Sequence, residues 1–304
     1  MKKLLCALLA VMLAVCCTSC RMNKEEEIKL IGVLQPNVLA SQQLILKNEI
    51  EEAIKDIPNV KCIYADAGNN VSKQISDIYD MIARQVDVII VSPCSEQLIE
   101  TALKEAVEAG IYVIVLGYAP YDSSAYTLQL FVNNYKIGYV AGEYAVKALN
   151  GEGIILEVQD DPSMRTTQER KKGFLAAIAE HPGIVKEYVV AGYGSKDTAS
   201  YALTTSEILD ENVKIDFVFS HNNDMAQGIY AALITRGIDP IIVGVGCYEN
   251  TADEFSDRGI TASVMYVTLG TESIEYALQL MEGETFEKSV EFDPVLYTED
   301  ANEW

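Results

Sequence analysis

Residues 86–93 read VDVIIVSP, and they are followed by QLIETALKEAVEAG (97–110) and YVIVLG (112–117). The first and last runs are continuously apolar and β-branched, without the polar alternation of a strand that has one wet face. A strand buried on both faces belongs to a parallel sheet covered by helices. The middle run repeats apolar residues at helical spacing and stops at Gly110, so the three segments form a strand, helix, strand unit.

The same rhythm extends in both directions. KLIGVL (29–34) precedes a helix through Ala53, and VKCIYAD (60–66) precedes one at about 72–84. The series restarts with GIILEVQ (153–159), a helix to about His181, IVKEYVV (184–190), a helix to about Leu209, and VKIDFVFS (213–220). MAQGIYAALITRG (225–237) and PIIVGVG (240–246) complete it. Two series predict two α/β domains. Asp87 and Asp216 occupy matching places 129 positions apart, and the pairs Gly110/Gly237 and Gly117/Gly244 are each 127 apart. A near-constant offset predicts two lobes of like topology.

The chain has 304 residues, 23 basic against 45 acidic, a formal charge of −22. This balance argues against nucleic acid, whose affinity comes from Lys and Arg on phosphates. Met1-Lys2-Lys3, the apolar stretch Leu4 to Cys16, and the small residues Thr18-Ser19 read as an export signal, residues 1–19. Cys17-Thr18-Ser19-Cys20 resembles the lipobox of bacterial lipoproteins, in which the chain is cut before an acylated cysteine. Cys17 stands where Leu is usual, which leaves Cys16 and Cys17 as alternative acceptors to Cys20. Residues 20–27 read as a polar tether. Removing residues 1–19 leaves 21 basic and 45 acidic residues, a charge of −24. Such a chain is repelled by an anionic bilayer, so the lipid is its expected membrane contact.

Cys62, Cys94 and Cys247 remain beyond the leader without metal-ligand spacing, and His181 and His221 are too few for a zinc site. No metal, cofactor or catalytic residue is expected. A phosphate loop, a GxSxG elbow and a Cys/His pairing are all missing from the sequence.

Ligands of open parallel sheets sit beyond the carboxyl ends of the strands. Those positions hold Gln35 and Asn37, Asp66 to Asn70, Ser92 to Glu96, and Gly117-Tyr118 in the first half. The second half supplies Gln159 to Arg165, Tyr193 with Ser195, His221 to Asp224, and Gly246 to Asn250. Amides, hydroxyls and aromatic rings dominate, a set suited to a small uncharged or weakly charged polyhydroxylated ligand.

IGVLQP, DVIIVSP, AVEAGIYVIVLG, VNNYKIGYVAGEYAVKAL, TTQERKKGF, DFVFSHNNDMAQG and IIVGVG occur in this order. Together they resemble the ribose-type periplasmic sugar-binding proteins, the substrate-binding proteins of bacterial ABC transporters, over residues 29–297. The resemblance implies the type I periplasmic binding protein fold: two similar Rossmann-like lobes with parallel sheets flanked by helices, joined by a three-crossover hinge. The crossovers are expected near Val132-Asn133, near Tyr266 and around Glu284 to Lys288. The N-terminal lobe would then be residues 28–132 plus 267–285, and the C-terminal lobe residues 133–266 plus 286–304.

The same resemblance implies a monomer, with a sugar held in the cleft and handed to an ABC permease and its ATPase. A sensory receptor subunit presenting its closed form to a membrane sensor is the alternative. By position the ligand residues would be Gln35, Asn37, Ser92, Tyr118, Asn133, Arg170, Tyr193, Asn222 and Tyr266. The family's two sugar-gripping aspartates fall on Gly117 and Gly246, a departure that bears on specificity. Each residue also has a plainer reading: Asn222 as a helix cap, Arg170 as a surface ion-pair member beyond a Thr166-x-x-Glu169 capping box, the tyrosines as packing residues, and His221 as a lobe-surface or hinge residue.

Overall fold

The structure is a computed structural model that describes residues 28–39, 41–205, 207–209, 213–247 and 259–298. The leader, Cys20, the tether and residues 248–250 of the last candidate loop lie outside the described residues.

Two six-stranded sheets organise the chain. The first is built from β1 (Lys29–Gln35), β2 (Val60–Asp66), β3 (Val88–Val91), β4 (Tyr112–Leu116), β5 (Leu128–Val132) and β11 (Ser289–Phe292), in the order 11-5-4-3-1-2. The second contains β6 (Glu152–Gln159), β7 (Gly183–Ala191), β8 (Phe217–Ser220), β9 (Ile241–Cys247), β10 (Ala262–Tyr266) and β12 (Val295–Thr298), in the order 12-10-9-8-6-7. All pairings are parallel except β10 with β12.

Helices cover both faces of each sheet. In the first lobe α2 (Val71–Ala83) and α3 (Glu100–Glu108) bury Ile78, Met81, Leu103 and Ala106 against one face. The other face takes Leu46 and Ile50 of α1 (Ser41–Ile54) and Ile274 and Ala277 of α8 (Gly270–Met281). In the second lobe α6 (Lys196–Thr204) and α7 (Asn223–Ile234) cover one face, while α4 (Asn134–Ala148) and α5 (Arg165–Ile178) cover the other.

The internal repeat has a structural meaning. Asp87 Oδ2 accepts the Leu30 N–H at 2.8 Å, and Asp216 Oδ2 accepts the Ile154 N–H at 2.8 Å. Thr127 Oγ1 accepts the Val113 N–H, and Thr261 Oγ1 accepts the Ile242 N–H. Each lobe thus satisfies the same orphan backbone donors at its strand ends with the same side-chain types.

The chain passes between sheets after Val132 and after Tyr266. The third passage differs from the expectation. Ser289 to Phe292 pair with Gln129 to Val132 in the first sheet, so residues 286–292 belong with the N-terminal lobe and the crossing falls at Asp293-Pro294. The reason is geometric: β5 would otherwise be an open edge, and a four-residue strand closes it. Helix α5 also corrects a reading. It begins at Arg165, its N-cap is Met164, and no side chain caps it. The turn before it is made by Asp161, whose Oδ1 accepts from the Ser163 N–H and Oγ. Thr166 is therefore inside the helix and cannot form the capping box.

Candidate ligand-binding cleft

In the first sheet β1 lies between β2 and β3, so the connections leave β1 and β3 toward opposite faces. A crevice opens at the carboxyl ends of such strands. The second sheet repeats the order with β6 between β7 and β8. Between the lobes lies a cavity of about 550 Å³. Pro36, Ser92 to Cys94, Glu96, Gly117 and Tyr118 line it from loops of the first lobe. Asn134, Ser163 to Thr166 and Arg170 line it from the second lobe, and Tyr266 to Leu269 from the second crossing.

Four of the nine expected ligand residues meet there: Ser92, Tyr118, Arg170 and Tyr266. Tyr118 lies under the Arg165 guanidinium, 4.2 Å from ring centroid to Cζ, a cation–π contact that crosses from one lobe to the other. Burial pushes the Tyr118 phenol above its ordinary range, with Arg165 pulling against it. Arg170 Nε donates to Asn134 Oδ1 at 2.9 Å, and its Nη1 donates to the His221 carbonyl. Its guanidinium also lies 5.9 Å from the Tyr266 ring. Arg170 therefore both lines the cleft and fastens α5 to α4 and to the end of β8, rather than pairing with a surface carboxylate.

The other five expected residues are absent from the described lining. Gln35 is buried, and its Nε2 donates to the Gln43 carbonyl and to Gln43 Oε1. Asn37 accepts the Leu39 N–H in a tight local turn. Asn133 caps α4 through the Lys136 N–H and donates to Glu291 of β11 across the hinge, leaving its neighbour Asn134 to face the cavity. Tyr193 is 58% exposed in a left-handed turn with φ 47°. Asn222 caps α7 by accepting the Met225 N–H at 2.7 Å. Asn223 is buried, and its Oδ1 accepts from Ser263.

The two glycines at the family's aspartate positions have different causes. Gly117 sits at φ +88°, a conformation that a side chain disfavours, at the turn leaving β4. At Gly246 a Cβ would lie 2.3 Å from Asn223 Nδ2. The Asn223 amide fills the space a side chain would need.

His221 is not on a surface. It is fully buried, and its Nε2 lies 3.1 Å from Glu157 Oε1. Lys186 Nζ donates to the other Glu157 oxygen at 2.7 Å. Burial alone would raise the Glu157 carboxyl, but hydrogen bonds from His221 and Lys186 hold it down to about 2. Burial pushes the His221 imidazole down, toward its neutral form. The ring packs on Phe219, and Phe219 stacks on Phe174. The His221 carbonyl accepts from Arg170, so this network braces the cleft from beneath.

Cys94 lines the cavity, whereas burial pushes the Cys62 thiol up to about 11. Among the described residues no cluster of three His, Cys, Asp or Glu could hold a metal ion.

A family model for the periplasmic binding protein domain matches residues 31–285. The chain belongs to that family. It is 28% identical over 248 residues to the ribose import binding protein of Bacillus subtilis (strain 168), covering 81% of this chain and 79% of the relative. The fructose-binding periplasmic domain of a hybrid two-component system superposes with a TM-score of 0.78 at 26% identity, over 90% of this chain and 91% of that one. A solute-binding protein of an ABC transporter from Bacillus halodurans C-125, solved with myo-inositol, shares the fold with a TM-score of 0.80 at 22% identity, over 91% and 96% of the two chains. The chain is thus a periplasmic binding protein, and the curated relatives it matches are binding proteins rather than enzymes.

Proposed function

We propose that this periplasmic binding protein captures a monosaccharide or a close derivative between its lobes and delivers it to an ABC permease. The observation that carries this reading is the cavity itself, which takes Ser92 and Tyr118 from one lobe and Arg165 and Arg170 from the other. Only a ligand that touches both lobes favours the closed clamp over the open one, and that difference in affinity is what drives closure. The likeness to ribose import proteins supports transport over sensing. The described residues include no helix long and apolar enough to span a membrane. The energy for transport would come from the ATPase that drives the permease.

Ligand that binds only the folded form raises apparent stability by RT ln(1 + [L]/Kd), about 2.7 kcal/mol at a hundredfold excess over Kd. A thermal-shift panel of D-ribose, D-fructose, D-allose and myo-inositol is therefore expected to raise the melting temperature by several degrees for at least one member. No shift with any of them, beside a strong shift with a dicarboxylate, would reject the sugar reading.

We further propose that Cys20 carries a lipid that tethers the protein outside the cytoplasm, with residues 21–27 as spacer. Cys20→Ser is expected to move the protein from the membrane fraction to the soluble fraction. Continued incorporation of labelled fatty acid into that variant would place the anchor at Cys16 or Cys17 instead.

A further inference from the structure

Several polar groups around the cavity are already committed within the protein. Two guanidinium nitrogens of Arg170 donate to Asn134 and His221, and Thr268 donates to Glu49. The Gln43 amide oxygen is taken by Gln35, and Ser163 bonds Asp161. Two charged side chains stand apart. Glu96, in the loop after β3, has no hydrogen bond or ion pair among the described residues. Arg165, the first residue of α5, has none either, and its guanidinium lies over the face of Tyr118. The first belongs to one lobe and the second to the other, and both line the same cavity.

A carboxylate only accepts hydrogen bonds, and a guanidinium only donates them. A group satisfying both at once must donate and accept, which is what a ring hydroxyl or a vicinal diol does. The Arg165 guanidinium carbon lies 4.2 Å from the centroid of the Tyr118 ring, and no hydrogen bond among the described residues uses its N–H groups, which leaves them for such a partner. The two positions where a sugar-gripping aspartate would be expected are closed to one, Gly117 by its φ of +88° and Gly246 by the Asn223 amide. Glu96 is the one carboxylate among the described lining residues.

We propose that Glu96 and Arg165 are the specificity-determining pair of this cleft, Glu96 taking hydroxyl hydrogens and Arg165 donating to hydroxyl oxygens of the same ring from the opposite lobe. This rests on the sugar reading above and moves the gripping carboxylate from the loop after β4 to the loop after β3. Charge-assisted hydrogen bonds of this kind are among the stronger polar contacts, and each should account for about a tenfold change in Kd or more.

The test is titration calorimetry of wild type, Glu96→Gln and Arg165→Gln with whichever of D-ribose, D-fructose, D-allose or myo-inositol stabilises wild type most, beside the melting temperature of each unliganded form. Each variant is expected to bind about tenfold or more weakly while melting close to the wild type when empty, because neither side chain has a hydrogen bond or ion pair among the described residues and Arg165 gives up only its contact with the Tyr118 ring. Affinities within about twofold of wild type for both variants would overturn the assignment and leave the sugar reading standing. A lowered melting temperature with unchanged affinity would also overturn it, showing a structural role instead. If wild type responds to no sugar, the sugar reading fails and the pair falls with it.

Discussion

Glu157→Gln is expected to lower stability by about 3 kcal/mol, the cost of leaving buried charge and polar groups with a weakened partner. Glu157 and His221 are wholly buried, and Lys186 is 14% exposed at its side chain, so water can replace little of what is lost. Burial opposes the charged carboxylate, yet its two partners hold it down to about 2 from an ordinary 4.5. Because the folded value is depressed, the contribution is complete above about pH 4.5 and is lost as the pH falls toward 2. His221 acts in the same direction. Burial lowers its pKa, so below about 6.5 the unfolded chain binds a proton that the folded chain refuses. Denaturant titrations are therefore expected to give a stability that is flat near neutrality, declines below about pH 6.5 and falls more steeply below about 4.5. In Glu157→Gln the lower step should shrink, leaving the smaller part due to other carboxylates such as Asp122. An unchanged acid profile in that variant would refute the assignment.

A second large effect is expected where α4 and α5 cross. A Cβ at Gly138 would lie 1.8 Å from the Arg170 carbonyl oxygen, and one at Gly173 would lie 1.9 Å from the Tyr135 carbonyl oxygen. These are backbone atoms, so no side-chain rotation relieves the clash. The helices would have to separate by more than an ångström, at a cost of about 3 kcal/mol or more. Gly173→Ala is thus expected to lower the melting temperature by several degrees. Gly138→Ala should in addition weaken ligand binding, since the atom it displaces belongs to Arg170. Normal melting of both variants would show that the crossing is looser than described.

Much of this architecture can be read from the sequence because its signals are local. A run such as VIIV must be buried on both faces, and Gly110 and Gly237 end their helices at φ +85° and +72°. The third crossing was misplaced because β11 is a four-residue edge strand, SVEF, whose exposure alternates, with no apolar run to mark it. That Ser92, Tyr118 and Tyr266 line the cavity follows from their places just past strand ends or at a crossing. At Asn222 an asparagine before a helix serves equally as a cap or as a contact, and its Oδ1 is used as the cap of α7. Asn133 and Asn134 are adjacent, and only the start of α4 decides which of them turns to the cavity. The isolation of Glu96 and Arg165 is a property of everything they fail to touch, which no stretch of sequence displays.

The strand at the edge of the first sheet also governs how the molecule can be made. β11 pairs with β5 across a separation of 160 residues, so the first lobe keeps an unfinished edge until almost the whole chain has emerged. Long-range parallel pairing is slow, and an open edge invites association with other chains. Completion of the first sheet therefore waits on residues 289–292, long after the strand they pair with has been made.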